Sequence, residues 1–568
     1  MMTIDFRNTN SLWCSVAVET LHRCGLRHAV VSPGSRSTPL TMALVAHPQI
    51  ETVPVLDERS AGFFALGLAR RTHRAVVLVC TSGSAGAHYL PALIEARESR
   101  VPLLVITADR PPEMRDCASG QTIDQHKLFG DYALWYHELA VPEPRLELLG
   151  YLRQTLRQAW QRAAAGPVHL NAPFRDPLPP VADDSTAALA IDESFFAQPE
   201  APTTERGQVK LHQRVTTARG IFIAGPAQPA DPTAYAAAIG DLARSTGWPI
   251  LADVLSPLRQ NAPADVTVIT TYDTLLRNET QARDLTPRYV IALEAWPTSK
   301  VLRQWLEQSQ AEILMVSEHA GGRDAIHGKT RAINAPVTAL AIDGAPIRDA
   351  AYLRAWATAE QRGRDRLDSW MASEAAKYFE GRIAWNLAQC LPEGAALCVA
   401  NSMPVRDLEY FWPASNRGIE VFFSRGANGI DGTLSTALGV AHDAGRPVVL
   451  LTGDLAFLHD ANGLLSAAVL RGGLTVVLIN NAGGGIFEHL PVAAFDPPFE
   501  RYFATPQHVD FAPLCAAHGV AYQLIHDHDE LVHAVKKSSP TGVRVLEIRT
   551  DRKADAATRK RLFRELAR

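Results

Sequence analysis

The run Pro447-Val448-Val449-Leu450-Leu451-Thr452 closes on Gly453-Asp454-Leu455, and a second apolar run, 474–479, closes on Asn480-Asn481-Ala482-Gly483. Each run is short, aliphatic and ended by turn-forming residues, the pattern of a strand buried on both faces. Such strands belong to parallel sheets covered by helices, so the two runs predict an α/β fold. They also predict a site. A carboxylate at one strand end and an amide at the next offer the hard oxygen ligands that Mg²⁺ prefers, usually completed by a phosphate. Asp454 and Asn481 therefore form a candidate clasp for a metal diphosphate.

The same grammar extends outward in both directions. Strand-like runs fall at 28–31, 75–80, 102–107 and 168–171, then at 221–224, 249–252, 290–293 and 312–316. The last third adds 396–400, 448–452, 474–479 and 543–548. Helix-like segments separate them, which predicts three consecutive parallel-sheet α/β domains over 1–182, 209–357 and 358–568. A proline- and acid-rich linker is expected over 183–208. The first and last thirds share one strand-turn-helix grammar. The basic stretch 552–568 reads as a solvated terminal helix rather than a nucleic-acid arm.

Bulk properties narrow the function classes. The 568 residues are too many for one core, and 47% hydrophobic with 20% charged residues suits a soluble globular chain. A net charge of −4 gives no reason to expect nucleic acid or an anionic membrane. Seven cysteines without a CxxC pair point to reduced thiols in a cytoplasm. No apolar run approaches the roughly 18 residues of a membrane helix, and the first ten residues carry no signal-like stretch.

Three further segments carry chemistry. Val53-Pro54-Val55-Leu56-Asp57-Glu58 leads an extended run into a carboxylate, followed by a helix-like stretch over 60–69. Thr81-Ser82-Gly83-Ser84-Ala85-Gly86 follows a strand and opens a helix, so its backbone N–H groups can face an anion or a ring. Arg425-Gly426-Ala427-Asn428-Gly429-Ile430-Asp431-Gly432 holds three glycines that let backbone approach a ligand closely.

Gly-Asp followed by Asn-Asn at this spacing resembles the cofactor motif of thiamine diphosphate enzymes. That resemblance implies a carboxylic acid against the cofactor's pyrimidine ring, and Glu58 stands where the superfamily's activating glutamate stands. It implies Ile430 as the apolar wedge that keeps the cofactor bent. Other stretches point to one branch: Val30-Val31-Ser32-Pro33-Gly34-Ser35-Arg36-Ser37-Thr38-Pro39-Leu40, Thr107-Ala108-Asp109-Arg110-Pro111-Pro112-Glu113, Gly120-Gln121-Thr122-Ile123, Asn401-Ser402 with Arg406, the 424–432 loop, and Asn480-Asn481 through Gly485-Ile486-Phe487. Together they resemble the 2-succinyl-5-enolpyruvyl-6-hydroxy-3-cyclohexene-1-carboxylate synthase family of menaquinone biosynthesis.

The resemblance implies thiamine diphosphate with Mg²⁺ or Mn²⁺, the metal held by Asp454, the Asn481 side chain and the Gly483 carbonyl. Cofactor contacts are expected from Glu58, Ser82, Gly83, Ile430, Gly453, Asp454, Leu455, Asn481, Gly483, Ile486 and Phe487. The implied reaction decarboxylates 2-oxoglutarate and adds the succinyl carbanion to isochorismate. Both substrates are dianions, which suits bidentate arginines. Arg36, Arg110, Arg406 and Arg425 match, with Lys300 from the middle third. Ser35, Gln121, Asn401 and Ser402 are the uncharged contacts, and Ile486, Phe487 and Leu490 the apolar wall. A homodimer or homotetramer with sites between protomers is implied, without nucleic acid or membrane.

Some positions depart from that pattern. Leu455 replaces the glycine common after Gly-Asp in the superfamily but suits this branch. Ala482 and Gly485 differ from the expected Asn-Gly-Gly-Gln-Ile-Phe surroundings, and Val301 follows Lys300 where a second base is expected. His88, in place of asparagine, reads as a packing histidine. The rival readings are another 2-oxo acid thiamine enzyme and a non-catalytic thiamine-fold subunit. A nicotinamide oxidoreductase lacks its GxGxxG after the first strand.

Overall fold

The computed structural model describes residues 4–197, 207–211, 219–319, 324–327, 330–343, 348–537 and 540–567. The first sheet contains β1 (His28–Val31), β2 (Glu51–Pro54), β3 (Val76–Cys80), β4 (Leu103–Asp109), β5 (Tyr136–Glu138) and β6 (Val168–Pro173). They pair in the order β2-β1-β3-β4-β6-β5, always parallel. Every residue of β3, β4 and β6 is buried, as aliphatic runs covered by helices on both faces require.

The central part contains β7 (Val209–Leu211), β8 (Gly220–Ala224), β9 (Ile250–Ala252), β10 (Val268–Ile269), β11 (Tyr289–Leu293), β12 (Glu312–Ser317), β13 (Thr330–Asn334) and β14 (Leu340–Ile342). Its sheet runs β10-β9-β8-β11-β12-β13, while β7 and β14 form a separate parallel pair. The last sheet contains β15 (Ala396–Val399), β16 (Glu420–Phe423), β17 (Val448–Gly453), β18 (Gly473–Asn480), β19 (Ala521–Ile525) and β20 (Gly542–Arg549), ordered β16-β15-β17-β18-β20-β19. Counted within each sheet, the first and last share one strand order. The grammar common to the two ends of the sequence is thus a common topology. In both, the chain reverses direction across the sheet beside its first strand, which opens a crevice at the carboxyl ends of the strands.

These two sheets are joined through a close helix pair, Glu58–Thr72 with Thr433–His442. A Cβ on Gly67 would lie 2.0 Å from the Thr436 carbonyl oxygen, and one on Gly439 would lie 2.0 Å from that of Phe64. Only glycine lets the backbones approach this far. One apolar core consequently includes Val30, Phe64 and Leu78 from the first part and Leu438, Leu450 and Val476 from the last. The central part is tied to the last by Arg259, fully buried, which donates to the Trp412 carbonyl at 3.0 Å and pairs with Glu409 at 3.1 Å.

Several sequence expectations need revision. The terminal helix Arg552–Leu566 is not simply solvated: Asp555, Arg559 and Leu562 are buried, because Arg559 reaches inward to Asp555 and Asp407. His88 is exposed, not packed, since the 3-10 turn Gly83–Tyr89 directs Tyr89 inward in its place. The boundary expected at 357/358 falls within the helix Ala350–Met371. Of the expected linker, 198–206 lie outside the described residues, while Ile191 and Phe196 pack into the first core. Among the described residues no helix is long and apolar enough to cross a membrane.

Candidate active site

Every residue singled out in the sequence lies at or beyond the carboxyl end of a parallel strand. Ser35 and Arg36 follow β1, Glu58 follows β2, Ser82 and Gly83 follow β3, and Arg110 and Gln121 follow β4. Lys300 follows β11. Asn401, Ser402 and Arg406 follow β15, Arg425 and Ile430 follow β16, and Gly453, Asp454 and Leu455 stand at the end of β17. Asn481, Gly483, Ile486, Phe487 and Leu490 follow β18. Asn401 and Asp454 thus flank the β15/β17 crevice, where ligands bind in open parallel sheets.

The structure gathers these residues into two groups, one on each related sheet. In the first, Arg110 donates to the Ser82 hydroxyl and, at 3.0 Å, to the Gln121 carbonyl. The Gln121 amide returns a bond to the Ser82 carbonyl at 3.0 Å. Gly83 adopts φ +83° and donates its N–H to Gln125 at 2.9 Å. Arg36 is buried and donates to the Phe174 carbonyl at 3.0 Å. Burial, reinforced by the neighbouring Arg36, lowers the pKa of the Arg110 guanidinium. Ser35 is exposed at the rim.

Glu58 opens the helix Glu58–Thr72 because Asp57 caps it, accepting from the N–H of Arg59 at 2.9 Å. The Glu58 carboxyl is half-buried and, among the described residues, makes no hydrogen bond or ion pair. Burial, reinforced by the Glu58 charge, pushes the pKa of the Cys80 thiol up, which places the carboxylate near the end of β3.

On the last sheet, Asn401 is 5% exposed and fully engaged. Its amide donates to the carbonyls of Ser424 (2.7 Å) and Gly429 (2.6 Å), and its oxygen accepts from Arg425 at 2.9 Å. It braces the loop that bears Arg425 and Ile430. Ser402 is held at φ +70° and ψ −129°, a strained geometry for a residue with a Cβ, and its carbonyl accepts from Arg406 at 2.6 Å. Burial lowers the pKa of both Arg406 and Arg425; repulsion from Arg406 adds to the effect on Arg425, and the Arg303 charge acts on both. An anion between these guanidiniums would relieve that repulsion.

Asp454 and the 481–483 turn are wired together. Asp454 accepts from the N–H of Gly483 at 2.8 Å and of Leu455 at 2.7 Å, while burial pushes its pKa up to about 6. Asn481 is 8% exposed, and its side-chain oxygen is buried without a partner. Gly483 sits at φ +134°, where a Cβ would lie 2.3 Å from the Ala504 carbonyl oxygen. Ala482 takes φ +58°, a region asparagine tolerates better, so the departure from asparagine there is accommodated at the expense of backbone strain. A buried carboxylate beside an unpartnered amide oxygen fits a divalent cation. Among the described residues there is no cluster of three His, Cys, Asp or Glu side chains suited to a metal, and a diphosphate-bridging Mg²⁺ does not require one.

Other predicted residues are less engaged. Ile430, Ile486 and Phe487 are half-buried, Leu490 is 42% exposed, and Lys300 is exposed at the start of the helix Lys300–Gln308. Among the described residues no hydrogen bond or ion pair links the first-sheet group to the last-sheet group. Two residues escaped the sequence reading. Arg303, one turn beyond Lys300, is the middle-part cation felt by Arg406 and Arg425. Glu95, 3% exposed, accepts from the N–H groups of Gly426 (3.1 Å) and Ala427 (2.7 Å) and from Arg70 at 2.8 Å. It carries no motif; only the fold brings it under the loop.

"Thiamine pyrophosphate enzyme, N-terminal TPP binding domain" matches residues 15–128, "Middle domain of thiamine pyrophosphate" matches 190–399, and "Thiamine pyrophosphate enzyme, C-terminal TPP binding domain" matches 408–548. A 2-succinyl-5-enolpyruvyl-6-hydroxy-3-cyclohexene-1-carboxylate synthase of Synechococcus sp. (strain JA-3-3Ab) is 52% identical, covering 99% of this chain and 98% of its own. The chain belongs to that synthase family. Synthases of the same name from Microcystis aeruginosa (49% identical, 97% and 98% covered) and Trichodesmium erythraeum (47%, 98% and 98%) agree end to end. The chain is accordingly a thiamine diphosphate-dependent enzyme built of three α/β domains.

Proposed function

We propose that this member of the synthase family decarboxylates 2-oxoglutarate and adds the succinyl unit to isochorismate. The products are 2-succinyl-5-enolpyruvyl-6-hydroxy-3-cyclohexene-1-carboxylate and CO₂, a step of menaquinone biosynthesis. The observation that carries this reading is the half-buried pair Arg406 and Arg425, the first following β15 and the second held by Asn401 at the β15/β17 crevice that Asp454 also flanks. Two repelling, desolvated guanidiniums suit a substrate with two carboxylates better than one with a single charge.

Thiamine diphosphate, when bound, supplies the electron sink for decarboxylation. The chain's own groups divide the remaining work. Asp454, the Asn481 oxygen and the Gly483 carbonyl hold Mg²⁺ or Mn²⁺. Glu58, whose carboxyl has no hydrogen-bond or ion-pair partner among the described residues, holds the proton on the pyrimidine ring. Ser82, Gly83, Ile430, Gly453, Leu455, Ile486 and Phe487 line the cofactor. Arg36, Arg110, Arg406, Arg425 and Lys300 fix substrate carboxylates, with Ser35, Gln121, Asn401, Ser402 and Leu490 shaping the pocket. Orientation is their main contribution to rate.

The assembly is a homodimer or homotetramer with the first-sheet group of one protomer facing the last-sheet group of another. Exposed apolar residues beside both groups support this: Leu56 (65%) and Ile123 (41%) near Glu58 and Gln121, and Phe495 (68%) and Tyr502 (65%) beyond Leu490. Seven cysteines, none in a disulfide, support a cytoplasmic enzyme. The domain limits proposed are 1–182, 209–357 and 358–568, with the helix Ala350–Met371 carrying the chain across the second boundary, since Trp356 packs in the middle core and Met371 in the last domain. Donor specificity tests the reading. With isochorismate present, 2-oxoglutarate should be consumed and pyruvate should not; equal use of pyruvate would contradict it.

A further inference from the structure

Asparagine is an ambiguous metal ligand, because only one end of its amide can coordinate a cation. At Asn481 the choice is made from behind. The Asn481 amide nitrogen donates to Glu380 Oε1 at 3.0 Å, which leaves the opposite atom, Oδ1, buried and unpartnered. Glu380 is 2% exposed and cannot swing away. Its Oε1 also accepts from the Thr550 hydroxyl at 2.7 Å, and its own N–H donates to Asp555 at 2.9 Å. Asp555 is in turn fixed by Arg559 at 3.0 Å. Glu380 Oε1 accepts from the Thr550 hydroxyl and therefore serves as the accepting oxygen toward the amide, so the NH₂ end faces it.

A second feature of the turn agrees. A Cβ at position 485 would lie 2.8 Å from the Asn481 amide nitrogen. Glycine at 485 leaves space for the NH₂ end to sit where Glu380 holds it. We infer that Glu380 is a positioning residue that orients Asn481 so that its oxygen, not its nitrogen, faces the metal. This rests on the metal reading of Asp454, Asn481 and Gly483 and extends it to a residue outside any cofactor motif. Partners of this kind, behind a ligand, commonly govern metal affinity by 10–100-fold.

The test is Mn²⁺ binding in the presence of thiamine diphosphate, read from the free-ion electron paramagnetic resonance signal, with apoprotein melting as a control. Glu380→Leu should weaken Mn²⁺ about tenfold or more, whereas Glu380→Gln, which keeps an acceptor oxygen, should stay within a few-fold of wild type. The decisive comparison places Glu380→Leu in an Asn481→Asp background. Two equivalent carboxylate oxygens need no orientation, so there the substitution should cost little or nothing. An equal loss in both backgrounds, or none in the first, would overturn the inference. If Glu380→Leu fails to fold, Glu380→Met, nearer in size and without the accepting oxygen, puts the same question in the same two backgrounds. Absence of cofactor-dependent Mn²⁺ binding by the wild-type chain would overturn the metal reading itself, and this inference with it.

Discussion

Glu58 and Arg425 illustrate two ways in which a side chain serves this site. Among the described residues the Glu58 carboxyl has no hydrogen-bond or ion-pair partner, so it is available to a ring nitrogen. Glu58→Gln should retain cofactor binding and lose about 10²-fold or more in kcat, measured at saturating cofactor. Arg425 is held by Asn401 and repelled by Arg406. Arg425→Gln should raise the KM of one dicarboxylate substrate about 10–100-fold, the loss of one charge-assisted contact. Asp460, away from the clasp, offers a pH test. Burial raises its pKa to about 7, above the ordinary carboxylate value of 3.8, while both its oxygens accept from Ser435. The folded state therefore binds the proton more tightly than the unfolded chain, and stability falls as pH rises from about 4 to about 7. Asp460→Asn should flatten that slope in urea titrations, since the Ser435 hydroxyl can accept as well as donate. The residues that form strand-end motifs were legible in sequence. Arg303, Glu95 and Glu380 were not, because each acquires meaning only from a neighbour distant in the chain.

At the scale of elements, the helix Glu58–Thr72 does two jobs. Its first residue is the candidate catalytic acid, and its middle packs backbone against backbone on Thr433–His442, the helix that follows the Ile430 loop. Gly67→Ala would drive a methyl into the Thr436 carbonyl. It should cost about 1–3 kcal/mol by overpacking, seen as a lower melting temperature, and should lower kcat as well. Glu95→Gln should loosen the 424–432 loop and leave Arg70 a buried charge without its counterion: thiamine diphosphate and substrate KM rise together and the melting temperature falls. Strand recognition failed where burial is weak. The strand β5 has three half-buried residues, Tyr136, His137 and Glu138, β10 has two residues, and β13 is mostly exposed. Edge strands such as these lack the unbroken aliphatic run that made β17 and β18 plain.

For the whole molecule, the two groups of site residues stand on related sheets that share a core, and among the described residues no hydrogen bond or ion pair joins one group to the other. Completion across a dimer has a numerical consequence. When Glu58→Gln and Asp454→Asn chains are co-expressed, each mixed dimer should contain one site with both native residues, so about a quarter of wild-type activity should return. Sites completed within one chain would show no recovery. The three-domain order was readable from alternating strands and helices, and the shared strand order of the two outer domains was foreshadowed by their common grammar. The middle domain was the least readable, since its contribution runs through Arg303 and the buried Arg259–Glu409 pair rather than a motif. The most direct test of the account is isochorismate consumption by the purified protein, with 2-oxoglutarate, thiamine diphosphate and Mg²⁺ each withheld in turn. Isochorismate should disappear only with all three present, matched one for one by CO₂. Release of CO₂ from 2-oxoglutarate at the same rate without isochorismate would contradict it.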